Sequence, residues 1–192
     1  MFTETSPLEY FSALVSKAMK DQGIAASDTA GFYISSLLAS YVASRKLSDE
    51  AFAARFLKAL GAEREVKNVL LKEIGDSSLF MTGFFHESFK RKVVDIDYYV
   101  GMGIMSYASL ADSLHEKSRR ATALASIYME LSDKFVEFMD VLNEISERSG
   151  IKTALDTLRL YERWLKTGSP RTKAILKELG IDPVRVPVKP MQ

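Results

Sequence analysis

Two histidines, His86 and His115, are the only imidazoles in the 192 residues, and there is no cysteine. That absence excludes disulfides, thiolate metal sites, thiol nucleophiles and iron–sulfur clusters together. A di-iron or di-manganese centre in a helical bundle needs two Glu-x-x-His pairs plus two further carboxylates from facing helices. Asp112 and His115 have the right separation, and Asp97 lies on roughly the same face, but His86 has Gly83 three residues before it. One pair cannot build the site, so no metal and no resident cofactor is expected.

The other reactive groups fare no better. His86-Glu87 opens the string HESFK, which is similar to the phosphoacceptor histidines carried on helices by signalling proteins. Its Lys90 stands four residues on instead of three, and no glycine or proline follows where those motifs want one, so a surface histidine is the simpler reading. Serine is plentiful, yet there is no Gly-x-Ser-x-Gly elbow and no glycine-rich phosphate loop. Asp95 and Asp97 sit at a helix start, where capping explains them. No residue is assigned a catalytic role.

Basic residues gather near the end. Arg163, Lys166, Arg171, Lys173, Lys177, Arg185 and Lys189 face only Glu178 and Asp182. A helix, a short turn and a second basic helix could read DNA. The stretch has no aromatic after Trp164, however, and bulky Trp164 stands four before Gly168 where such motifs want a small residue. A solvated basic face is preferred, with nucleic-acid binding kept as a second alternative. Over the whole chain the net charge is +1, with 47% apolar and 27% charged residues, so composition gives no overall pull toward nucleic acid or membrane.

The elements that would position these groups are helices. In residues 118–148, Ala121, Leu124, Tyr128, Leu131, Phe135, Phe138, Leu142 and Ile145 recur at three- and four-residue steps and form one helical stripe. Ile127, Met129, Val136, Met139 and Val141 widen it beyond a coiled-coil seam, so this helix reads as the central post of an antiparallel bundle. Ser6, Pro7 and Glu9 form a capping box that starts a helix ending at Gly23. A second helix spans about 28–45 with Leu37, Leu38, Tyr41 and Val42 in the core. It has no charge between Thr29 and Ser44, but four serines and a short length favour a buried helix over a membrane span.

A third helix starts at Ser48 and carries Phe52, Phe56 and Leu60 inward. A fourth, 62–74, holds Val66, Val69, Leu70 and Ile74 and stops before Gly75, and a fifth covers 77–92. The sixth, 95–115, is uncharged between Tyr98 and Ala111 and contains Gly101 and Gly103, each costing about 1 kcal/mol relative to alanine. Either a neighbouring backbone comes close there, or a flat ligand lies against the main chain. Close packing is preferred. If there is a small-molecule site, its residues are Gly83, Gly101, Gly103, Met105 and Tyr107, and Gly103→Leu should then abolish binding more than it lowers stability. After Gly150 an eighth helix, 151–166, carries Trp164. Gly168, Ser169 and Pro170 start a ninth that ends at Gly180, and the tail 181–192 is proline-rich and extended.

Gly75-Asp76, Gly83-Phe84-Phe85, Tyr98-Tyr99-Val100 with Met102-Gly103, and Leu160-Tyr161-Glu162-Arg163-Trp164 together make a pattern. It resembles an uncharacterised family of all-helical bacterial proteins of about this length. The resemblance implies a shared helical fold and a bacterial cytoplasmic setting, and it transfers no catalytic residue. In size, helix content and a glycine-bearing helix the chain also resembles haem-handling bundles of the haem-oxygenase type. Those place an axial histidine early in the chain, and the first helix here has none.

The expectation is therefore an all-α protein, a single bundle of eight to nine mainly antiparallel helices over 1–180, with a C-terminal helical pair at 150–180 packed on it. The start, MFTETSPLEYF, lacks a signal peptide's basic end and apolar run, so a cytoplasmic setting is expected. The expected function is a non-enzymatic interaction module that self-associates through a helix face, as a homodimer. A helical carrier or enzyme with an internal apolar pocket for a flat or lipidic ligand is the alternative.

Overall fold

The computed structural model describes residues 6–44, 51–84, 95–114, 119–149, 164 and 167–178, and among them every regular element is an α-helix. In chain order these are α1 (Pro7–Asp21), α2 (Asp28–Ser44), α3 (Phe52–Leu60), α4 (Arg64–Phe84), α5 (Ile96–Leu114), α6 (Arg119–Asp133), α7 (Phe135–Ser149) and α8 (Pro170–Glu178). The chain divides into two compact units, Met1–Ser146 and Glu147–Gln192. His86, His115, the Ser48 helix start, most of the expected eighth helix and the tail lie outside the described residues.

Local rules set the ends of α1. Ser6 Oγ accepts from the Glu9 amide at 3.2 Å while the Glu9 carboxylate accepts from the Ser6 amide at 2.9 Å. At the other end Gly23 takes φ +68°, the left-handed conformation a side chain resists, and the Gly23 and Ile24 amides bond back to the Lys20 and Met19 carbonyls. The chain can then reverse into α2. Ser27 Oγ caps α2 through the Ala30 amide, and the Ser27 amide and hydroxyl both donate to the Glu130 carboxylate of α6. Burial opposes ionisation of Glu130, but these bonds and the Lys134 ammonium outweigh it and hold the carboxyl below its ordinary range.

In the first unit α4 and α5 pack most extensively, followed by α5 with α6, α1 with α2, and α3 with α4. Six of the eight rungs read from the sequence are core, Tyr128, Leu131, Phe135, Phe138, Leu142 and Ile145 all being buried, but the first two are not: Ala121 is half-buried and Leu124 is 40% exposed, and Val136, expected to widen the stripe, is 49% exposed. Lys134 interrupts it as a single turn residue between α6 and α7. The bonds from the Lys134 amide to Glu130 and from Phe138 to the Lys134 carbonyl continue through it, so the axis persists as one post in two assigned helices.

Three further expectations need correction. Gly75 does not stop a helix: α4 runs through it to Phe84, uniting the expected fourth helix with the start of the fifth. A Cβ at Gly75 would lie 2.6 Å from the Tyr107 ring, so this glycine is where α5 presses a fully buried tyrosine onto the α4 backbone. Second, Leu60, Val66 and Val69 are 53%, 54% and 57% exposed and face away from the core. α3 instead buries Phe52, Arg55 and Ala59, with Arg55 ion-paired to Glu73 at 3.0 Å and its guanidinium over the Phe52 ring. Third, α2 is not enclosed on most sides, because Phe32 is 58% exposed although Ala30, Ile34, Leu37 and Leu38 are buried. No helix among the described residues is long and apolar enough to cross a membrane.

Candidate functional site

Two places hold more than packing requires, one inside the bundle and one on its surface. The inner one centres on Asp76, in the middle of α4, at the junction of four helices. Tyr33 of α2 donates to Asp76 Oδ1 at 2.5 Å and Tyr107 of α5 donates to the same oxygen at 2.8 Å. Lys72, one turn earlier on α4, donates to Oδ2 at 2.5 Å, and its ammonium lies 5.4 Å from the Tyr33 ring centroid. The Tyr128 hydroxyl of α6 pairs with that of Tyr33. The rings follow: Tyr128 stands edge-on to Tyr33 and stacks on Tyr107. The next residue continues the polar seam, with Ser77 Oγ 2.8 Å from the Tyr41 hydroxyl. Ser78 then donates to the Tyr99 carbonyl of α5.

Burial is the first cause that raises the Tyr33 and Tyr107 phenols well above their ordinary range, and the adjacent Asp76 carboxylate adds to it. Tyr41 is pushed up to about 12, again chiefly by burial, and Tyr128 is raised for the same reason. For Lys72, burial would lower the ammonium, but the Asp76 carboxylate outweighs it and the pKa is raised. The neutral phenols and the charged Lys72 ammonium are thus favoured. Such an arrangement locks four helices in register. None of these phenols is poised to give up its proton near neutral pH.

A pH consequence follows with a definite sign. Phenols whose folded pKa lies above the unfolded value near 10 contribute stability that is present below that pH and lost as pH rises through the folded values. Alkaline spectrophotometric titration should therefore show the exposed tyrosines ionising first. Tyr33 and Tyr107 should ionise only together with loss of the helical circular dichroism signal. All eight tyrosines titrating smoothly while the helix signal persists would contradict this.

The five residues named from sequence as a possible ligand site are divided among several surroundings. Gly103 and Tyr107 both meet Phe135, and a Cβ at Gly103 would fall 2.4 Å from that ring and 2.8 Å from Ser78 Oγ. Gly83 lies against α7, where a Cβ would be 2.5 Å from Leu142 Cβ. Nothing lies within 4 Å of a Cβ built on Gly101, and Met105 is 52% exposed. Sequence reasoning passed over Asp76 as a site residue. Its signal was a carboxylate between Gly75 and Ser77-Ser78 just before the apolar run Leu79-Phe80, a place where a helix gains nothing from those residue types unless they meet partners.

The outer place is a cleft of about 380 Å³ along α1 and α2. Ser12, Ser16, Gly31 and Ser35 are among its small lining residues, Met19 and Phe32 give it an apolar wall, and Lys20 and Asp28 also line it. A Cβ at Gly31 would meet only Met19 Sδ, at 3.7 Å, so the fold itself leaves this space open. On α8, in the second unit, Arg171, Lys173 and Lys177 are exposed while Thr172 and Leu176 are buried. Among the described residues no group of three histidines or carboxylates is placed to hold a metal ion. No family model, no curated protein and no solved structure matches this chain.

Proposed function

We propose that the protein is a helical interaction module that self-associates through an exposed helix face. The observation that carries this is the amount of large apolar side chain turned to solvent in ordered helices: Phe32 on α2, and Leu57, Leu60, Val66 and Val69 on the α3–α4 hairpin. α2 and α3 are each apolar on two sides and use only one of them in their own chain, which is the pattern of helices with a face left for a second neighbour. The inner polar cluster supports the same reading, since its hydrogen bonds are made to one another and bind the bundle together. A bacterial cytoplasmic setting accords with the resemblance described above and with a surface made for a protein partner.

The test is mass against concentration. Sedimentation equilibrium of purified protein should show the weight-average mass rising from 21.5 kDa toward twice that value as concentration increases. A mass fixed at the monomer value throughout would refute self-association.

A further inference from the structure

We infer that the self-association face is the α1–α2 surface, joined to a second copy of this chain about a two-fold axis, with Phe32 of each protomer seated in the other's cleft. This rests on the reading of the protein as a self-associating module and names the surface and the geometry. A two-fold contact uses the same patch on both copies, so the patch must contain both a projecting group and the place that receives it.

The α1–α2 surface meets that condition. Phe32 is 58% exposed, and the cleft beside it is open above Gly31. A cavity of about 150 Å³ is enough to hold benzene, so a cleft of about 380 Å³ has room for a phenylalanine ring. The hairpin does not meet it. Leu57, Leu60, Val66 and Val69 project, but the cleft at the hairpin's base is lined mostly by Arg64, Lys67, Ser109, Asp112 and Ser113. An apolar ridge finds no apolar receptor there.

Charge agrees with shape. Lys20, in the last turn of α1, and Asp28, in the first turn of α2, both line the α1–α2 cleft and are exposed. Neither makes an ion pair within the chain among the described residues. A two-fold operation brings Lys20 of one protomer toward Asp28 of the other twice over, once on each side of the axis. Opposite charges at two related points fix register as well as adding attraction.

Substitutions separate the pieces. Phe32→Asp removes the projecting ring, and Gly31→Leu, whose Cβ would meet only Met19 Sδ at 3.7 Å, puts a side chain into the receiving space. Each should raise the dimer dissociation constant roughly thirtyfold or more, the loss usual for an aromatic anchor. Lys20→Asp places two acids together and Asp28→Lys two bases, so each alone should weaken the homodimer by about tenfold. An equimolar mixture of the two should form a heterodimer of nearly wild-type affinity, because both contacts become complementary again.

Helix content and urea midpoint, measured alongside, show whether each variant is folded. The mixing result keeps the test decisive even if Phe32→Asp is not. Weakened homodimers with a restored mixed dimer would support the inference. A wild-type dimer that is indifferent to all four variants but dissociated by Leu57→Asp or Val69→Asp would overturn it, placing the contact on the hairpin and leaving the self-association reading intact. A wild-type protein monomeric at every concentration would overturn both.

Discussion

Asp76→Ala should lower the free energy of unfolding by about 3 to 5 kcal/mol, the loss expected when one member of a buried, charge-centred network is removed. The substitution deletes the acceptor of Tyr33, Tyr107 and Lys72 at once. Tyr107 is fully buried, so its hydroxyl has no water to turn to. Lys72 is about half exposed and can rehydrate, so most of the cost falls on the two phenols.

The network origin of that cost has its own signature. In a Tyr33→Phe, Tyr107→Phe background the same Asp76→Ala change should cost far less, since the hydroxyls that needed the carboxylate are gone. Urea unfolding followed by circular dichroism measures both losses. Equal losses in the two backgrounds would mean that Asp76 acts only by filling space.

The second large effect sets two glycines on one helix against each other. Gly103→Ala should destabilise by about 1 to 3 kcal/mol, because the new methyl would lie 2.4 Å from the Phe135 ring. Phe135 is itself 1% exposed and packed against Tyr107, so it has nowhere to go. Gly101→Ala meets nothing within 4 Å and should gain about 1 kcal/mol from helix propensity alone. Opposite signs two residues apart would assign Gly103 to close packing. Thermal melts of the two variants distinguish this from a shared ligand-facing role, in which both substitutions would raise stability by a similar amount through helix propensity.

These effects also show which parts of the molecule can be read from residue order. The capping box at Ser6, the stop at Gly23 and the ladder's last six rungs, from Tyr128 to Ile145, depend on neighbours three or four residues apart. Local rules therefore suffice. Gly75 looked like a stop because glycine usually ends a helix. Its true partner is Tyr107, far along the chain, and only tertiary contact shows that the missing side chain makes room for a ring.

α3 misled in a similar way. The spacing of Phe52, Phe56 and Leu60 describes an apolar stripe, but Arg55 turns inward to Glu73 and rotates the buried face toward Ala59. Periodicity cannot choose between two apolar sides when one of them faces solvent. Asp76 was visible as an oddity, a carboxylate at the edge of an apolar run, but its three partners come from α2, α4 and α5. Phe32 was hidden for the opposite reason: in an uncharged stretch every position looks buried.

The most direct measurement of the surface assignment is photo-crosslinking from position 32 itself. With Phe32 replaced by p-benzoylphenylalanine, the projecting aromatic group is kept and made reactive, and a mixture of isotopically light and heavy chains separates adducts between copies from those within one. The expected result is an adduct between chains at the α1–α2 cleft, with Met19 as the foremost acceptor. Adducts confined to single chains, or joining position 32 to the α3–α4 hairpin of another copy, would contradict the two-fold contact.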